Sequence, residues 1–350
     1  AIQQDLSDGY ACVIQVVSTG ESLLKRRLEV MDPDDELVEG ALTPRDYVLG
    51  YLEQAFPIHT QKLVEIDGNV VAEPLRDETG AFVVSREALA LRDEAMMDLM
   101  ALAPIPAALD QILWAFGDEA VAEVTGRSIR PLKSSDGALF IEKRAASSNS
   151  SETQAFMDGA KDILIFSDAG GTGRSYHAAQ TAKNQKRRRH YLLEPGWRAD
   201  AAIQGLGRTH RSAQVSAPFF RVCTSDVHGE KRFTSTISKR LDQLGALTKG
   251  QRETGSQGMF REEDNLESPI ARSALRGYYA DLAAGRAEAM GYETFTDWTA
   301  LRLIDKDGVL LEELPPIQRF LNRVLALPIH MQNALFAEFM QRIADQTERA

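Results

Sequence analysis

The sequence predicts an α/β protein, a doubly wound and mainly parallel sheet with an inserted subdomain and a helical carboxyl-terminal extension. Three observations carry that expectation. Short apolar runs of strand length recur at residues 11–17, 121–124, 163–166, 191–194 and 218–224, with longer polar or helix-period stretches between them. One run, Ile163-Leu164-Ile165-Phe166, breaks into Ser167-Asp168-Ala169-Gly170-Gly171-Thr172-Gly173. A buried parallel strand delivers a loop to a ligand at its carboxyl end in this way. Beyond Glu267 the apolar residues fall at helical spacing, as in Met331, Leu335, Phe339 and Ile343.

The 350 residues are enough for one large or two medium domains, and 43% hydrophobic with 26% charged residues describes a globular chain. With 51 acidic and 40 basic residues the net charge is −11, which excludes a uniformly basic nucleic-acid coat. Any nucleic-acid path has to be a local basic groove. The two cysteines, Cys12 and Cys223, sit in apolar runs and read as buried inert thiols, so neither a disulfide nor a metal site is expected. Neither a charged-then-apolar leader nor an apolar run of membrane-spanning length is visible, so secretion and insertion are not expected.

Taken in order, the strand at 11–17 ends at Ser18-Thr19-Gly20-Glu21, a turn that caps a helix beginning near Ser22. An insertion follows. It opens on the acidic linker at 31–36, continues with a helix start at Thr43-Pro44, and holds short apolar segments separated by turns at Gly68-Asn69 and Glu78-Thr79-Gly80, the pattern of a small antiparallel element. Helices are predicted over 86–102 and 107–116, a short strand over 139–142, and a helix over 152–158. The basic run Lys183, Lys186, Arg187, Arg188, Arg189 stands just before the strand at 191–194 and reads either as a solvated face or as a phosphate-tracking patch. Trp197 is expected to pack under the next helix, a basic amphipathic helix spans 229–247, and residues 250–267 read as a loop.

Two stretches carry chemistry. Gly173-Arg174-Ser175 nearly completes a phosphate-binding G-x-x-x-x-G-K-[ST] loop, but Asp168 stands where its first glycine should be and Arg174 replaces the lysine. Downstream, Gln204, Gly207, Arg208 and Arg211 have the spacing Q-x-x-G-R-x-x-R. If that stretch is helical, Gln204, Arg208 and Arg211 share one face and could present two guanidiniums to one phosphate. A solvated basic helix face is the plainer alternative.

In this order the two stretches resemble motifs V and VI of superfamily 2 helicases, and most closely the strawberry notch family. Further likeness lies in Val121-Ala122-Glu123-Val124-Thr125-Gly126-Arg127, Arg187-Arg188-Arg189-His190, Pro195-Gly196-Trp197 and Gly229-Glu230-Lys231-Arg232-Phe233. The resemblance implies a RecA-like second motor domain at residues 1–31 and 103–250, an inserted subdomain at 32–102 and a helical extension at 251–350. It implies catalytic roles for Arg208, Arg211 and Gln204, nucleotide contacts at Gly171, Gly173, Ser175 and Gly207, and nucleic-acid contacts at Thr19, Gly20, Arg127, Ser167 and Arg188. ATP and Mg2+ would be bound mainly by an amino-terminal RecA-like domain of the same polypeptide, because this sequence contains neither a G-x-x-x-x-G-K-[ST] loop nor a D-E-x-[DH] box. The implied track is DNA rather than RNA. Bacterial and phage relatives suggest an attached methyltransferase or nuclease domain, and alanine- and arginine-rich wording suggests a cytoplasmic protein of bacterial or phage origin, or a nuclear one if eukaryotic. A non-enzymatic regulatory module on the same fold is the rival reading, and a free-standing phosphate-loop NTPase a third.

Overall fold

The structure, a computed structural model, describes residues 1–30, 44–66, 69–103, 105–134, 136–145, 147–196, 198–247 and 264–349. The acidic linker at 31–36, Thr43, Gly68, Trp197 and most of the loop expected at 250–267 lie outside the described residues. The chain divides into two compact units, Ala1–Val17 with Ala120–Gly126 and Asn149–Ala350, and Ser18–Glu119 with Arg127–Ser148.

Nine strands are described, numbered here along the chain: β1 Ala11–Gln15, β2 Gln61–Ile66, β3 Asn69–Pro74, β4 Val121–Val124, β5 Ile129–Lys133, β6 Leu139–Lys143, β7 Ile163–Phe166, β8 Arg188–Leu192 and β9 Phe219–Val222. The first unit is built on a five-stranded sheet of order β4-β7-β1-β8-β9, and every adjacent pair in it is parallel. All the residues of β1, β4 and β7 are buried, so these strands carry apolar residues on both faces instead of alternating, with Gln15 and Glu123 as buried polar exceptions. On one face Ala11, Val13, Ala122, Val124, Leu164 and Phe166 pack with Phe156 and Tyr176. Further along, Leu192 packs with Ala202, Leu206 and Ile237. The doubly wound parallel layer expected from the sequence is therefore present.

Two boundaries differ from the sequence reading. β8 begins at Arg188, so the basic run enters the strand instead of preceding it. β5 pairs antiparallel with β6 and is not legible in the sequence, because Arg130, Pro131 and Lys133 break its apolar pattern.

The helical extension belongs to the first unit. Helices Pro269–Ala283, Tyr292–Thr299, Ile317–Arg323 and Ile329–Arg349 enclose an aromatic core of Tyr278, Tyr279, Phe295, Phe320, Phe336 and Phe339. Ser268 caps the first of them by accepting from the Ala271 amide at 3.1 Å, with proline at its first position. The extension is fixed to the α/β layer through Asn333, which accepts from the His228 amide and donates to the Asp226 carbonyl, both at 2.8 Å. Gly229 has no room for a Cβ beside Leu325 and Gln332.

In the second unit β2 and β3 form the antiparallel element expected of the insertion. Helices Pro44–Ala55, Arg86–Ala101 and Ala108–Phe116 accompany it. No described helix is long and apolar enough to cross a membrane.

Candidate functional site

The glycine stretch leaves the carboxyl end of β7 at Ser167, whose extended backbone (φ −114°, ψ 166°) starts a single helical turn, Asp168–Gly171. That turn is pressed onto the end of β4. A Cβ at Gly170 would lie 2.5 Å from the Thr125 Cα and overlap the Val124 carbonyl, and one at Gly126 would lie 2.9 Å from the Ala169 Cβ. Gly173 then takes φ +75°, the left-handed region that only glycine enters without strain. The glycines are therefore needed for close backbone packing and for one sharp turn.

The helix Ala199–Leu206 approaches equally closely, because Gly205 presents no side chain to Gln15 at the carboxyl end of β1. The Gln15 amide donates to the Ala201 carbonyl at 3.4 Å. The helix stops at Leu206, with Gly207 as its cap at φ −61°. Thr209 then turns inward, its hydroxyl 2.8 Å from the His190 ring. This corrects the single-face expectation: Gln204 is on the helix and exposed, Arg208 is in the turn after it, and Arg211 is beyond the turn.

Arg208 is nevertheless brought to the glycine turn. Its Nη1 donates to the Arg174 carbonyl at 2.9 Å, the Tyr176 amide donates to the Arg208 carbonyl at 2.7 Å, and its Nε lies 3.3 Å from where a Gly171 Cβ would stand. The pairing continues, with the Val215 amide donating to Ala178 at 2.7 Å and the Gln180 amide to Ala213 at 3.2 Å. Residues 174–180 and 208–215 thus form one clasp, which begins at the glycine turn. Arg174 Nη1 donates back to the Gly170 carbonyl at 2.9 Å and ties the glycine turn to this clasp.

Several buried polar atoms around the turn have no hydrogen-bond partner: Arg208 Nε, the Tyr176 hydroxyl and the Ser167 hydroxyl. Buried polar groups are normally paired; unpaired atoms also occur away from this turn, as at the Tyr278 and Tyr279 hydroxyls. Burial pushes the Tyr176 phenol up to about 12, with Arg208 and Arg174 opposing, so it is a neutral donor at physiological pH. Burial also lowers His177, with help from Arg188 and Arg211. Arg211 is exposed, its amide donates to Gln214 Oε1 at 3.1 Å, and its guanidinium makes no hydrogen bond or ion pair among the described residues. Ser175 is half-buried and its hydroxyl makes no hydrogen bond among the described residues. Among the described residues no group of three or more His, Cys, Asp or Glu side chains could hold a metal ion.

The expected nucleic-acid residues fall in both units. In the first, Ser167 is 3% exposed and Arg188 is 0% exposed. Arg188 donates from Nε to Tyr176 O at 2.8 Å, from Nη1 to Lys186 O at 2.6 Å, and from Nη2 to Asn184 O at 2.9 Å. Burial lowers its pKa to about 10. Its charge is enclosed by carbonyls, which corrects the expectation of a surface phosphate contact. In the second unit Arg127 is 3% exposed and paired with Asp110 at 2.6 Å, and its Nη1 also reaches the Thr19 carbonyl at 3.4 Å. Arg127 therefore supports the Thr19-Gly20 turn, where Gly20 takes φ +70°. Its buried side chain does not present a free cation, which corrects the direct-contact expectation.

Tyr176 and Gln15 were missed by the sequence reading. Each left a faint trace: a lone aromatic just past a glycine turn, and a glutamine inside an apolar run.

Sheet topology, glycine turn and arginine turn together define a RecA-like helicase carboxyl-terminal domain. The family described as the C-terminal domain on Strawberry notch homologue matches residues 107–350, and the chain belongs to that family. It is 34% identical over 313 residues to protein strawberry notch homolog 1 of Rattus norvegicus, covering 79% of this chain and 24% of that protein. It is 38% identical over 275 residues to protein strawberry notch of Drosophila melanogaster, covering 70% and 16%. Protein FORGETTER 1 of Arabidopsis thaliana is 36% identical over 265 residues, covering 64% and 20%. The chain thus spans about a quarter or less of the length of these relatives. No solved structure matches it. The relatives are animal and plant proteins, which overturns the bacterial or phage assignment; alanine and arginine content reflects composition and does not report lineage.

Proposed function

We propose that this chain is the second half of an ATP-dependent nucleic-acid helicase or translocase. In this reading nucleotide is held by an amino-terminal RecA-like half of the same polypeptide, which also supplies the magnesium site. Arg208 and Arg211 act as arginine fingers, offsetting the negative charge that grows on the transferring phosphoryl group, and Gln204 closes the site. Gly171, Gly173, Ser175 and Gly207 form the wall on this side. Thr19, Gly20 and Ser167 touch the nucleic-acid backbone, DNA rather than RNA, and Arg127 positions the Thr19 turn. The functional division proposed is 1–31 with 103–250 as the motor domain, 32–102 as an insertion and 251–350 as an extension.

The observation that supports this reading best is the placement of Arg208 against Gly171 with its Nε unpaired. The buried donors of Arg188, by contrast, are bonded to three backbone carbonyls. The chemistry asked of the two arginines is electrostatic. A guanidinium keeps its charge at any working pH and can bond phosphoryl oxygens from two sides.

In a polypeptide containing both halves, Arg211→Ala is expected to reduce nucleic-acid-stimulated ATP turnover by about 10³-fold or more. Full turnover in that variant would remove the finger assignment and favour the rival, a non-enzymatic interaction module. The 350-residue chain alone is expected to show no appreciable hydrolysis.

A further inference from the structure

The glycine turn leaves the carboxyl end of β7. At the amino ends of β8 and β9 the same sheet carries a cluster that the motor reading does not use. The Arg187 guanidinium lies 3.5 Å from the centre of the Phe219 ring, and that of Arg189 lies 4.7 Å from the same ring and 4.3 Å from the ring of Tyr10. Tyr10 and Phe219 meet edge to face at 6.0 Å, and the Arg221 guanidinium lies 5.7 Å from the Tyr191 ring. Cations and aromatic rings alternate in this ladder across the last two strands of the sheet.

Three features suit it to a ligand. First, charge is in surplus: against three guanidiniums stands Asp5, 3.2 Å from Arg189 and from Arg221, and it also accepts from the Tyr191 hydroxyl. Two positive charges remain in a protein whose net charge is −11, a local basic patch of the kind that composition demands of any nucleic-acid contact. Second, the ladder is held in place, since Arg187 Nε donates to the Ala217 carbonyl at 2.7 Å and Asp5 restrains the other two arginines. Little side-chain freedom is left to lose on binding. Third, its outer members are accessible: Arg187 is exposed, Phe219 is 37% exposed and the Arg221 side chain 43% exposed, while the Arg189 side chain behind them is 14% exposed.

We propose that Tyr10, Arg187, Arg189, Phe219 and Arg221 form a second nucleic-acid contact, a stacking platform for the unpaired bases of a single strand. The proposal rests on the nucleic-acid reading above for its class of ligand. Planar guanidiniums and rings stack on bases of any sequence while the surplus charge follows the phosphates. An acidic peptide would use the charge but not the flat guanidinium face that Phe219 holds open at Arg187.

The test is fluorescence anisotropy of a labelled oligothymidylate titrated with the 350-residue chain over a range of salt. Phe219→Ala and Arg187→Lys are each expected to weaken binding by roughly tenfold, the second because lysine keeps the charge and loses the plane. Arg187→Ala is expected also to lower the salt slope by about 0.7, the value for one phosphate contact on a single strand. Lys183→Ala, outside the ladder, is expected to bind as the parent does. Both lead substitutions are at exposed positions, and unchanged thermal melting would confirm that they fold; if Phe219→Ala does not, Arg187→Lys decides. Parent-like affinity in the variants, equal affinity for a duplex of the same length, equal competition by polyglutamate, or no binding at all would each overturn the platform. None of these outcomes decides the motor reading, which stands or falls on turnover in Arg211→Ala.

Discussion

Arg188 and Arg208 reach the same residue from opposite sides and end in different states. Arg188 donates to the Tyr176 carbonyl from within β8, fully buried, with its guanidinium among backbone oxygens. Arg208 accepts from the Tyr176 amide in the turn, half-buried, with its Nε unpaired beside Gly171. Residue type and sequence neighbourhood do not separate them. What separates them is whether the protein itself already satisfies the donors.

The sharpest break in this comparison is expected from Arg188→Ala. Charge-assisted hydrogen bonds are worth more than neutral ones, and the substitution leaves the buried carbonyls of Tyr176 and Asn184, and the part-buried one of Lys186, without their donor, so a loss on the order of 3 kcal/mol or more in a denaturant melt is expected. If Arg188→Ala melts like the parent, the guanidinium is not structural. A smaller effect tests the strand beside it. His190 is fully buried and burial holds its pKa near 3 against the ordinary 6.5. The unfolded chain therefore takes up a proton that the folded one refuses between those values. Stability from this group is complete above pH 6.5 and is lost as pH falls toward 3, about 2 kcal/mol by pH 5. His190→Gln should flatten that part of the stability profile, and an unchanged slope would show that acid acts elsewhere. The least effect is expected at Lys183, whose side chain is 78% exposed and 3.6 Å from Asp158. Lys183→Ala should move a melt by less than about 0.5 kcal/mol, and a larger change would mean that the basic run is more than a solvated face before the strand.

The fold was legible where burial is uniform. β7 is apolar throughout, β1 and β4 are apolar but for the buried Gln15 and Glu123, and the glycines after β7 announce a backbone that must approach another closely. It was illegible where polar residues are buried and satisfied locally. Arg188 and Arg189 read as a charge run because strand alternation is invisible when inward positions carry guanidiniums. Of the candidate site, the partnership of Gly171 with Arg208 could be anticipated from the order of the two motifs. The end of the helix at Leu206 could not, because it depends on Gly205 meeting Gln15 and on Thr209 meeting His190, both contacts distant in sequence.

The clasp between 174–180 and 208–215 has a mechanical consequence. Its main-chain bonds run from Tyr176 and Arg208 at one end to Ala178 and Val215 at the other, and Arg174 carries the connection back to Gly170. Hydrogen bonds thus tie the glycine turn and the arginine beside it to the same pair of ribbons, and separating the two would require breaking them.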